Sequence, residues 1–126
     1  GQTPLITVNG LHETVRHSNY FYQSDDEFKR AVVNAMESPD EIIFGDEAFT
    51  NAKVRFSNQI RLLANKHPDE TIIVITHGRI LSMYLSDLLN DSPTAIWQRL
   101  KMPAYALLSW EKQSIEKIVY SIESMT

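Results

Sequence analysis

The stretch Thr71-Ile72-Ile73-Val74-Ile75-Thr76-His77-Gly78 is the part of this chain that most limits its fold. A run of aliphatic residues without polar alternation predicts a strand over Thr71 to Thr76 covered on both faces, the pattern of a parallel sheet. Leu81, Leu85 and Leu88 or Leu89 follow on one helical face, so the strand passes through Thr-His-Gly into an amphipathic helix ending near Asn90. At the carboxyl end of a buried strand a side chain faces the crevice where open α/β sheets hold their ligands. His77 occupies that place. Gly78 lets a ligand approach the backbone, and the helix from about Arg79 turns its unpaired N–H groups and positive dipole end to the same spot. Such a spot suits an anion, most directly a phosphoryl group. The competing reading makes His77 a helix cap or a loop residue hydrogen-bonded locally.

The remaining chain supplies the elements around that unit. Leu5 to Val8 is a short β-prone run closed by the turn pair Asn9-Gly10, and Leu11 to Gln23 carries no period and is expected to be a loop. Ser24-Asp25-Asp26-Glu27 has capping-box spacing, with Phe28, Ala31, Val32, Ala35 and Met36 on one face before Ser38-Pro39 ends the helix. A longer helix is predicted from Asp46 to about Lys66, with Phe49, Ala52, Phe56, Ile60 and Leu63 in its stripe and His67-Pro68 as its stop. Ser92-Pro93 starts a short helix toward Arg99. Ala104 to Trp110 and Ile115 to Ile122 form a predicted hairpin. The order strand, helix, helix, strand, helix, strand, strand predicts an α/β fold.

Composition narrows the function classes. The 126 residues, 43% hydrophobic and 22% charged, have the size and balance of one soluble domain. A net charge of -4 without a run of Lys or Arg gives no electrostatic footprint for nucleic acid or an anionic membrane, and Ile72 to Ile75 is far too short to span a bilayer. The absence of cysteine removes thiol catalysis and thiolate zinc sites and leaves the cytoplasm as the default compartment. No cofactor and no metal is expected. His12-Glu13 lacks a second histidine at i+4, where Arg16 stands, so a zinc-protease helix does not fit. An α/β-hydrolase is excluded too, because Gly1, Gly10, Gly45 and Gly78 form no G-x-S-x-G elbow. Val15-Arg16-His17-Ser18 resembles the Val-Arg-His-Gly nucleophile motif of histidine phosphatases but lacks its preceding apolar strand and its glycine, which assigns His17 to a solvated loop rather than to nucleophilic attack.

Gly45-Asp46-Glu47, the long helix, His67-Pro68-Asp69-Glu70 and the strand ending in Thr76-His77-Gly78 before a Leu-rich helix resemble the C-terminal part of the histidine phosphatase, or phosphoglycerate-mutase-like, superfamily. Gly10-Leu11-His12-Glu13 is similar to the loop that carries that family's acidic residue, and Ile96 to Trp110 resembles its closing segment. The likeness covers nearly all of the 126 residues, read as one domain. It implies a three-layer α/β/α fold and phosphomonoester hydrolysis: a histidine attacks phosphorus, a carboxylic acid protonates the leaving oxygen, and water then removes the phosphoryl group. By this resemblance His77 donates a hydrogen bond to the phosphoryl group and Glu13 is the acid/base. Gly78 N–H, Arg79 and Arg16 lie beside the phosphate. The implied partner is a small phosphorylated metabolite or inorganic phosphate.

Glu47, in the first turn of its predicted helix, is assigned to the helix dipole. Tyr20, Phe21 and Tyr22 are assigned either to a substrate pocket or to packing. The family's Arg-His-Gly motif has no counterpart in the sequence. The expectation is therefore a fold incomplete at its N-terminus, inactive as this chain, that docks on an N-terminal fragment, pairs strands in a homo-oligomer or rearranges its sheet. The alternative is a non-catalytic relative that binds a phospho-ligand or a protein.

Overall fold

The computed structural model describes residues 5–16 and 21–123. His17 and Tyr20, and with them the expectations for those two side chains, lie outside the described residues. Among the described residues four helices precede a hairpin: α1 (Asp25–Glu37), α2 (Phe49–Lys66), α3 (Gly78–Leu89), α4 (Pro93–Arg99), β1 (Tyr105–Ser109) and β2 (Ser114–Val119).

Local chemistry sets the helix ends. Ser24 Oγ accepts the Glu27 N–H and Glu27 Oε2 accepts the Gln23 N–H, which satisfies two donors at the start of α1. Three acidic residues in that first turn favour the positive end of the dipole. Ser92 Oγ accepts the Ala95 N–H to open α4, with Pro93 in its first turn. At the end of α3, Asn90 takes the left-handed conformation that a helix stop needs, at φ 51°.

α3 is the central element, packed against α2, α4 and β2. Its stripe is wider than the leucine spacing predicts: Ile80, Ser82, Met83, Leu85 and Ser86 are all buried, while Leu81, Leu88 and Leu89 are half-buried. The two buried hydroxyls do not lack partners, since Ser82 bonds the Gly78 carbonyl and Ser86 the Met83 carbonyl. One apolar cluster joins Val32, Ala35, Met36, Phe44, Phe49 and Met83, and a second joins Ala52, Phe56 and Ile80. Burying rings such as Phe44, Phe49 and Phe56 contributes roughly 1.5–3 kcal/mol each, the main drive for this packing.

Mixed helix and a small sheet are compatible with an α/β class, but the strands depart from expectation. The hairpin forms, antiparallel, with Tyr105 opposite Val119 and an irregularity between Leu107 and Leu108. Leu5 to Val8 forms no strand; Leu5 is 90% exposed. Thr71 to Thr76 belongs to no sheet either. Instead of being covered on both faces, the segment alternates: Val74 and Thr76 are half-buried, whereas Ile73 and Ile75 are 81% and 82% exposed. The physical reason is a missing partner, because parallel pairing needs a strand brought from elsewhere and a hairpin needs only its own turn. The predicted start of the second helix also moves, from Asp46 to Phe49.

Candidate functional site

The amino end of α3 gathers most of the residues that the sequence singles out. Glu13 reaches it from the 10–16 loop. Its Oε2 accepts the Arg79 N–H at 2.9 Å, and its Oε1 accepts the Ile80 N–H at 2.7 Å and the Thr14 N–H at 2.9 Å. First-turn helix amides have no helical acceptor, so this carboxylate fills the anion position that the dipole creates. The Gly78 N–H, the first of the helix, has no acceptor among the described residues.

His77 is the N-cap residue of α3, yet its side chain makes no cap bond, against the capping reading. The imidazole is exposed and hydrogen-bonds to none of the described residues. Gly78 keeps the approach narrow but open: a Cβ there would meet the Met102 methyl at 3.1 Å and the Trp97 ring at 4.0 Å.

Two cations stand beside this end. Arg79 Nε donates to the buried Thr14 hydroxyl at 3.0 Å, and its guanidinium carbon lies 4.7 Å from the centre of the Phe44 ring. Arg16 lies 5.1 Å from the same ring and within 6 Å of Tyr22 and Phe28. Burial lowers the pKa of Arg79 most and the Arg16 charge adds to this, against opposing pulls from Glu13 and Tyr22. The group remains a cation at neutral pH. Two like charges facing one ring make this a place where an added anion lowers the electrostatic energy.

Other assignments change. Tyr22 packs rather than lines a pocket, stacked on Phe44 and edge-on to Phe28, whereas Phe21 is exposed. Glu47 does not serve the dipole of α2, because it precedes the N-cap Ala48; it binds Arg55 and the Val15 N–H instead. Burial alone would raise its pKa, but the hydrogen bonds from Arg55 and Val15 and the charge of Arg55 hold it below the usual carboxylate value. Thr14 and Arg55, with no part in the sequence reading of the site, also act here, as does Thr76 of the Thr-His-Gly unit. Thr14 anchors Arg79, Thr76 Oγ1 donates to the Leu11 carbonyl at 3.0 Å, and Arg55 ties down the loop.

Two surface clefts lie elsewhere, one against Arg61, Tyr84 and Trp110 and one at the far end of α3 by Asn90 and Asp91. Among the described residues no group of three or more histidines and carboxylates is placed to hold a metal ion. None of the described helices is long and apolar enough to cross a membrane.

The family model of the histidine phosphatase superfamily, branch 1, matches residues 2–121. The chain belongs to that superfamily. No curated protein sequence and no solved structure matches it. The start of α3 at Gly78 and the Glu13 loop, which the sequence connects only by resemblance, are joined by direct hydrogen bonds.

Proposed function

We propose that this histidine phosphatase domain takes the phosphoryl group of a small phosphorylated metabolite, or inorganic phosphate, at the amino end of α3. The observation that carries the reading is the Glu13 carboxylate on the Arg79 and Ile80 amides, next to an exposed His77 and an unclaimed Gly78 N–H. In this reading His77 and the Gly78 N–H donate to phosphoryl oxygens, and Arg79 and Arg16 offset their charge. In the same reading Glu13 is the acid/base: its protonated carboxyl protonates the leaving oxygen and the resulting carboxylate activates water.

The complete protein, in the same reading, hydrolyses phosphomonoesters through a phosphohistidine on a three-layer α/β/α scaffold of which this chain is the C-terminal portion. The unpaired Ile72–Thr76 segment with its exposed Ile73 and Ile75 supports a strand on its flanks, from an N-terminal fragment or a second copy. This chain by itself turns over little, since its sequence has no Arg-His-Gly. That same feature favours a second reading, a non-catalytic relative that binds a phospho-ligand or a protein partner.

Incubation with p-nitrophenyl phosphate and an added segment carrying Arg-His-Gly, followed by intact-mass analysis, separates the two. A phosphohistidine adduct supports catalysis. Calorimetric binding of inorganic phosphate without an adduct supports the non-catalytic relative. Failure to bind phosphate or vanadate, or affinity unchanged in His77→Ala, overturns the catalytic reading and the phospho-ligand form of the second.

A further inference from the structure

Arg55, in the second turn of α2, commits all five of its N–H groups to the loop that carries Glu13 and to that loop's partner. Nε and Nη2 bind Glu47 Oε2 and Oε1 at 3.0 and 2.9 Å, a two-pronged fork. Nη1 donates to the carbonyls of Gly10 at 2.7 Å and His12 at 2.9 Å, and Nη2 donates to the Glu13 carbonyl at 3.2 Å. Glu47 Oε1 then accepts the Val15 N–H at 3.0 Å. The main chain is thus held on both sides of Glu13. Two backbone features complete the grip. The Asp46 N–H donates to the Val15 carbonyl at 2.8 Å, and Gly45, at φ +73°, sits so close that a Cβ would fall 2.5 Å from that carbonyl.

We propose that Glu47 and Arg55 are the positioning residues of this site: they fix the backbone of residues 10–15 so that the Glu13 carboxylate stays on the first-turn amides of α3. Neither side chain reaches those amides itself. The pair acts through Glu13, and the inference rests on the reading that Glu13 belongs to the phosphoryl site. A surface ion pair would not do this, because three carbonyls and both Glu47 oxygens are held at once, and only a planar fork with five donors supplies those bonds. Lysine retains the charge and loses the fork.

Residue-resolved amide hydrogen exchange on the whole chain tests the inference. The Arg79 and Ile80 amides have no helical acceptor, so their protection reports the Glu13 carboxylate, whereas Met83 and Leu85 report the helix. Arg55→Lys and Glu47→Gln are expected to speed exchange at Arg79 and Ile80 about tenfold, the scale of a lost charged hydrogen bond, and to leave Met83 and Leu85 unchanged. Unchanged protection at Arg79 and Ile80 in both variants overturns it. So does equal acceleration throughout α3, which assigns the pair to global stability alone. A phosphate titration of the unaltered chain fails separately: without binding, the functional reading falls while the exchange result still decides the positioning.

Discussion

Glu13 and Glu47 serve the same loop in opposite ways. Glu47 is closed off: a guanidinium grips both its oxygens and a backbone amide adds a third bond, with both side chains of the pair less than 20% exposed. Glu13 also has three donors, but all are backbone amides, and beside it stand an exposed imidazole and an amide with no acceptor. One carboxylate ends in the protein; the other ends at an opening. The difference teaches where stability and ligand chemistry separate, with the arginine fork holding the loop and the Gly78 amide left for an anion.

The contrast breaks hardest at Phe44, the fully buried ring beneath both Arg16 and Arg79. Phe44→Ala is expected to cost about 3–5 kcal/mol in urea denaturation, through loss of burial and a cavity. It should loosen both arginines as well. Arg55→Met, which leaves the Glu47 charge without its partner, is expected to cost about 3 kcal/mol by the same assay. A loss under about 0.5 kcal/mol would make Glu47 no different from a surface carboxylate.

Acid titration sharpens the closed half. Because Glu47 is held below its ordinary value of 4.5, its contribution is complete above that pH and is lost as pH falls through the lower folded value. Stability profiles of wild type and Glu47→Gln should therefore converge below pH 4.5. Parallel profiles down to the acid limit would refute the linkage. The smallest stability effect belongs to the open half: His77→Ala, which removes no hydrogen bond to any described residue, is expected to change unfolding free energy by less than about 0.5 kcal/mol while weakening phosphate binding. A large loss of stability would mean that the imidazole is structural.

What the sequence discloses follows the range of the interactions. Ser24 with Glu27 and Ser92 with Pro93 are local signals, and α1 and α4 start where those residues place them. The hairpin is local too, as its strands are four residues apart. Thr71 to Thr76 has the composition of a strand, but composition does not provide a partner, and the segment stands unpaired with half its side chains outward. At the site, His77 and Gly78 announce themselves by position between an aliphatic run and a helix, and resemblance brings Glu13. The Glu47–Arg55 pair gives no such signal: eight residues apart, with Glu47 before the helix, it matches neither neighbour spacing of a helical face. The same pull of Val15 and Arg55 on Glu47 accompanies the later start of α2.

The central claim is that the amino end of α3 receives a phosphoryl group beside Glu13. A titration of the isotope-labelled chain with inorganic phosphate, followed amide by amide, tests it most directly. The account predicts the largest shift at the Gly78 amide, with His77 and Arg79 next and the hairpin silent. Saturable shifts centred anywhere else, or none at Gly78, would contradict it.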